Sequence, residues 1–376
     1  MIKKIFAILV VLVSLCSLFS DIYAVDVDSV AKEMNLNSLI DTLKEYTAGD
    51  IDIDSMADAL MVGEGIDYGV IGEFILNKLF YEIRLGLKAC VSILIVIILM
   101  AIVKGIELEK DNAVSKVTSL VGFLVIVTII LKSYFVMIKL FTDTVTLLTG
   151  VVEVVAPFML AILIATGEVA TSGIIGPVLL FVTTLVGVIV THVIVPLLSI
   201  SLVFKIISNM ADGIKVDKLS KMFSSTAMWI IGVLFAIFLG IMELEGSITT
   251  SIDEVAVKTT QAAVSNLVPV VGKFVSDSLE VVMGASEVIG KAVGVIGIIV
   301  MALVALIPVI KIIIHCIMYF LLSAISELLN TDSKITELCD AMNKQYKTML
   351  GIMLGVMITF VIGIGIVINL MGKVAS

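Results

Sequence analysis

Apolar residues run through this chain in blocks of about 20, the length a helix needs to cross the hydrocarbon core of a bilayer. Polar residues fall mainly between the blocks. Eight blocks follow the N-terminal leader, at residues 85–103, 117–138, 145–165, 174–204, 225–242, 292–310, 311–329 and 348–371. The pattern predicts an all-α fold, a polytopic membrane helix bundle with seven or eight crossings. Pro177, Pro196 and Pro308 lie inside these runs. Each removes a backbone hydrogen bond, so kinks are expected there.

The first 84 residues read differently. Residues 1–24 have the form of a signal peptide: Lys3 and Lys4, an apolar stretch, then Ala24 before a cut; an uncleaved anchor is the alternative. Residues 25–84 are rich in acids and poor in bases. Acidic and translocated agrees with the excess of lysine and arginine on cytoplasmic loops, so this is expected to be a short exported helical segment. Its last helix, at residues 71–88, carries Ile71, Phe74, Ile75 and Leu79 on one face and can lie on the membrane or pack within the exported part.

Beyond it come a first group of membrane spans (85–245), an amphipathic or re-entrant hairpin (246–291) and C-terminal spans (292–376). Strict alternation from an exported Arg84 puts the lysine cluster Lys215, Lys218 and Lys221 outside, the wrong side for positive charge. Either the block at 174–204 enters and returns near Pro196, or one earlier block does not cross.

Composition supports lipid as the main solvent. Of 376 residues, 60% are hydrophobic and 15% charged, where a soluble domain has about 25% charged residues. The net charge of −9 and the absence of a basic stripe exclude nucleic acid as a partner. Cys16, Cys90, Cys316 and Cys339 show no paired spacing, so neither a disulfide framework, a metal site nor a cofactor is expected. No metalloprotease, phosphate-loop or nucleophile-elbow motif occurs, and the chain reads as a non-enzyme.

Candidate functional residues are therefore polar groups at membrane depth, which usually face a cavity or a partner. They are Glu153, His192 and His315, with Lys132 and Lys311 able to snorkel toward the interface. Glu153 stands out because "VVEVVAP" offers no local partner. Gly351 and Gly355 form a GxxxG pair suited to close helix packing, within the chain or in a homo-oligomer. A self-contained secondary transporter with a midplane site at Glu153, His192 and His315 is one functional reading.

The stretch "NLVPVVGKFVSD" gives the other. Pro269 ends a helix and Gly272 permits a turn, with Asn266 before and Asp277 after, giving a Pro/Gly-broken helical hairpin. The block containing Asn266, Val268, Pro269, Val270, Val271, Gly272, Ser276, Asp277, Lys291, Ala292, Val293 and Gly294 resembles the most characteristic block of the stage III sporulation protein AE family of endospore-forming bacteria. Gly290-Lys291 stands where such members carry Lys-Asn. The resemblance implies a non-enzymatic multi-pass subunit of the channel complex between mother cell and forespore. It would sit in the mother-cell membrane around the forespore, with the other membrane subunits as partners.

Overall fold

A computed structural model describes residues 41, 80, 83–84, 90–103, 113–166, 168–210, 216–241 and 271–371. The side chains of most of residues 113–119, of residue 171 and of residues 271–288 are excepted. The described elements are helical: α1 (Cys90–Val103), α2 (Ala113–Ala165), α3 (Val169–Ile189), α4 (Val195–Met210), α5 (Asp217–Ile241), α6 (Val271–Leu328) and α7 (Ser333–Met371). Among the described residues five helices are long and apolar enough to cross a membrane, with α3 and α4 forming one of them. The chain is an all-α bundle of membrane-spanning helices.

Helix lengths correct the sequence parsing. The blocks at 117–138 and 145–165 are one helix of 53 residues, and those at 292–310 and 311–329 belong to one of 58. At 1.5 Å per residue these helices are about 80 and about 87 Å long, well over twice the hydrocarbon thickness. A helix ends where something stops it, not where the bilayer does. Pro157 and Pro308 lie inside their helices without ending them.

At Pro196 the chain does not turn back. Val190–Ile194 form a π-turn, with the Val195 N–H bonded to the Val190 carbonyl, and α4 continues directly. The wider turn absorbs the donor that proline lacks and the crowding of its ring. The block at 174–204 therefore does not return near Pro196, and the two earlier blocks at 117–138 and 145–165 share α2.

True stops have local chemistry. α6 ends at Asn330, whose φ of 50° is left-handed, and the Thr331 N–H reaches the Ser326 carbonyl while the Asn330 N–H reaches that of Glu327. This pair is a Schellman stop. Asp332 then caps α7 by accepting from the Lys334 N–H at 3.1 Å. Between α2 and α3 the Glu168 N–H bonds the Leu163 carbonyl, and the Ser172 hydroxyl reaches back to that of Leu160 at 3.1 Å.

α6 is the hub. It runs antiparallel to both α2 and α7, with Gly290 against Ile162 and Met371, Gly294 against Met159 and Ile368, and Gly297 against Val155. Its best apolar window is 83% buried, against 17% for α5 at the periphery. α5 packs on α7 where Gly351 meets Met228, Gly355 meets Ile231, and Gly363 meets Phe238. α1 packs on α2 through the fully buried Ile93 and Ile97, with Met100 over Gly122. Its 14 residues make about 21 Å, less than a full crossing.

The predicted hairpin is described only from Val271 onward. Asn266 and Pro269 lie outside the described residues, while Gly272 and Asp277 fall in the first turns of α6. The same helix passes without a break from residue 291 to 292, so no backbone interruption separates those two segments. The leader and nearly all of residues 25–84 also lie outside the described residues.

Candidate functional site

The glycine contacts set the register of the helices, and that register sorts the charges. Residues 169–191, 222–241, 292–310 and 348–371 carry none, and residues 144–165 carry only Glu153. Each segment is about 20 residues, enough for the hydrocarbon core. Toward the end where α4 meets α5 and α6 meets α7, five helices turn charged: Lys132, Lys139 and Asp143 on α2, Lys205 on α4, Asp217 and Lys221 on α5, Lys311 on α6, and Glu337, Asp340, Lys344 and Lys347 on α7.

In this belt, α4, α5 and α7 enclose an open cleft of about 570 Å³. Lys205, with its side chain only 16% exposed, holds Asp217 at 2.8 Å and stands 3.7 Å from Glu337. Lys221 takes the other Asp217 oxygen at 2.6 Å from solvent. Ser201 and Ser220 pair across α4 and α5, each hydroxyl within 2.7 Å of the other residue's carbonyl oxygen. Phe204 and Phe223 stack at 5.7 Å. The cleft narrows where Ser224 meets Thr348 at 3.3 Å, and beyond it Met228 sits against Gly351.

Behind the cleft lies a buried polar cluster. Gln345, 5% exposed, donates to the Leu198 carbonyl at 2.8 Å and to the Tyr134 hydroxyl at 3.2 Å. Tyr319 and Tyr346 stack at 5.5 Å, and His315 lies 5.1 Å from the Tyr346 ring. The His315 Nδ1 is 2.8 Å from the Lys311 carbonyl oxygen, which makes it the donor. The Tyr319 and Tyr346 hydroxyls lie toward Ser133, outside close hydrogen-bond geometry.

The three membrane-depth residues read from the sequence do not converge. His315 is half-buried, beside the fully buried Tyr346. Glu153 is exposed on the outer face of α2, and His192 is exposed on the π-turn between α3 and α4. Thr184 donates to Glu153 at 3.3 Å, and His192 Nδ1 is 3.2 Å from the Val188 carbonyl oxygen. A full charge at the bilayer centre costs about 2.5 to 3.5 kcal/mol on insertion scales, so one weak hydroxyl contact leaves Glu153 poorly compensated against lipid. Gly351 and Gly355 both face α5.

The sequence reading did not single out Gln345, the tyrosines, or Lys205 with Asp217. One signal was available: Ile335, Leu338, Cys339, Met342 and Tyr346 form one helical face, which would have marked the polar start of the last apolar block as core.

Comparison with known proteins gives one consistent result. The family model for stage III sporulation protein AE matches residues 51–371. Stage III sporulation protein AE of Bacillus subtilis (strain 168) is 25% identical over 261 residues, 69% of this chain and 65% of the relative's own length. No solved structure matches the chain. With charge-free segments in register across the bundle and a family match over most of its length, this chain belongs to the stage III sporulation protein AE family.

Proposed function

We propose that this chain is a non-enzymatic, multi-pass subunit of the channel complex that joins mother cell and forespore, and that forespore development requires it. The observation that carries the reading is the family match over residues 51–371, on a bundle in which five of the described helices are long and apolar enough to cross a membrane. Its membrane would be that of the mother cell around the forespore, and its partners the other membrane subunits of the complex.

Orientation follows from the charge belt. Lys205, Lys218, Lys221, Lys334, Lys344 and Lys347 gather at one end, so that end faces the cytoplasm. With α2 as one crossing, Lys215–Lys221 falls on the same cytoplasmic side, and the acidic connection at 242–270 falls opposite.

The transporter alternative needs Glu153, His192 and His315 around one midplane site, and the distance of His315, beside Tyr346, from the outer face that bears the other two speaks against it. The test is a deletion strain with topology reporters. Arrest of forespore development, with reporters cytoplasmic at Lys218 and external at residue 255, is expected. Normal spore yield without the chain would overturn the function, and swapped reporters the orientation.

A further inference from the structure

The exposed face of α2 has a pattern that lipid does not explain. Lys132, Lys139, Thr146 and Glu153 recur every seven residues, and Val136, Asp143, Gly150 and Pro157 fill the intervening positions of the same stripe. All are exposed except Gly150, which is half-buried. The antiparallel register fixed by Thr184 on Glu153 and Gly187 on Thr149 brings the exposed His192 level with Thr146. The stripe thus climbs from the charged belt to Glu153, well inside the charge-free zone, with Thr184 and His192 beside it.

A seven-residue repeat keeps one helix face turned in one direction. Polar groups at this depth face water or a partner. The interior offers no such space: at the same depth Val151, Val152, Val155, Met159 and Ile162 are fully or almost fully buried against α6. A dry contact with a second copy is also disfavoured. Copies in one membrane share orientation, so Lys139 would meet Lys139 and Glu153 would meet Glu153 at equal depth. Water between the copies removes that conflict.

We propose that copies of this chain associate around a water-filled path lined by the α2 stripe, with a ring of Glu153 carboxylates near its centre. Such rings attract cations. The inference rests on the reading of the chain as a subunit of a membrane conduit, and names the wall of that conduit.

The test uses the full chain in cell membranes. Cysteines are introduced singly at Lys139, Thr146 and Glu153, and at exposed apolar positions Leu147 and Phe181 as lipid-facing references, with background from the unsubstituted chain subtracted. A charged thiosulfonate reagent should modify the stripe positions about tenfold or more faster than the references, because only a hydrated thiolate reacts. Two differently tagged copies should co-purify and cross-link through a cysteine at Val136. Stripe labelling at the reference rate overturns the proposal, as does a monomeric chain or cross-linking only to a different protein. Thr146→Cys is a mild change and preserves the test if Glu153→Cys does not fold. Variants that support normal sporulation yet fail to label sink this inference alone. Failure of the function itself would appear as dispensability of the chain.

Discussion

Gly294 is the position where a single methyl group tests the packing of the bundle. A Cβ built there would stand 2.6 Å from Ile368 Cγ1, 2.7 Å from its Cδ1 and 2.8 Å from Met159 Cε. Carbon atoms rest about 3.5–4.0 Å apart, so the shortfall is about 1 Å on two sides. Met159 ends in a flexible thioether and can move aside. Ile368 cannot do so easily: it is β-branched, 3% exposed and fixed in α7. Overpacking of this kind costs about 1–3 kcal/mol, while alanine gains about 0.5–1 kcal/mol over glycine in helix propensity. Gly294→Ala should therefore destabilise by about 1–2 kcal/mol, and Gly294→Leu by more. Gly173 has nothing within 4 Å of its Cβ position, so Gly173→Ala should be neutral or slightly stabilising. Thermal loss of the monodisperse peak in detergent ranks the variants. Ile368→Ala should partly rescue Gly294→Ala, giving a coupling above the additivity error of about 0.3–0.5 kcal/mol. If Gly294→Ala melts with the unsubstituted chain and the double variant is additive, α6 and α7 do not meet here.

Three further substitutions address other contacts. Gln345→Leu removes one donor from the Leu198 carbonyl, which keeps its helical bond, and one from the Tyr134 hydroxyl, at about 1 kcal/mol, and Tyr134→Phe added to it should recover part of the loss in the same melting assay. Lys205→Met removes the more buried partner of a half-buried Asp217 and leaves Lys221; about 1 kcal/mol is expected, reduced by Asp217→Asn, with melting followed across salt concentration. Asn330→Ala places an ordinary side chain at φ 50° and should cost about 1 kcal/mol, whereas Asn330→Gly should match or exceed the unsubstituted chain. Equal melting of both Asn330 variants would refute the left-handed stop.

The bilayer left a clear mark on the sequence, and the helix ends did not. Counting apolar residues finds segments that fit hydrocarbon, and residues 145–165 and 348–371 were legible for that reason. The same count splits α2 at Lys139 and Asp143 and α6 at Lys311, because it treats a charge as a boundary. A helix long enough to leave the membrane keeps its hydrogen bonds straight through such residues. What stops α6 is Asn330, and what starts α7 is the cap at Asp332, a signal only two residues wide. Glu153, His192 and His315 were legible as unusual, but not as belonging to two different places. Their separation depends on which face of each helix turns outward, and that is decided by packing against α6.

That packing also explains where polar chemistry can reside in this chain. Gly290, Gly294 and Gly297 line the faces of α6 that meet α2 and α7, and without side chains they admit Ile162, Met371, Ile368, Met159 and Val155 to close contact. Close backbones leave the membrane-depth interior filled by branched aliphatic groups: Val293 and Val300 on α6 and Ile364 on α7 are 1% exposed or less. Opening a hydrated route through such a core would remove apolar area from contact at about 25 cal/mol per Å², on every side at once. The outer stripe of α2 requires no such cost, because its polar groups already face away from α6. A dry hub and a polar outer wall thus have one cause: the glycines that draw α2 and α7 onto α6 exclude water from the middle of the chain and leave Thr146 and Glu153 on its outer surface.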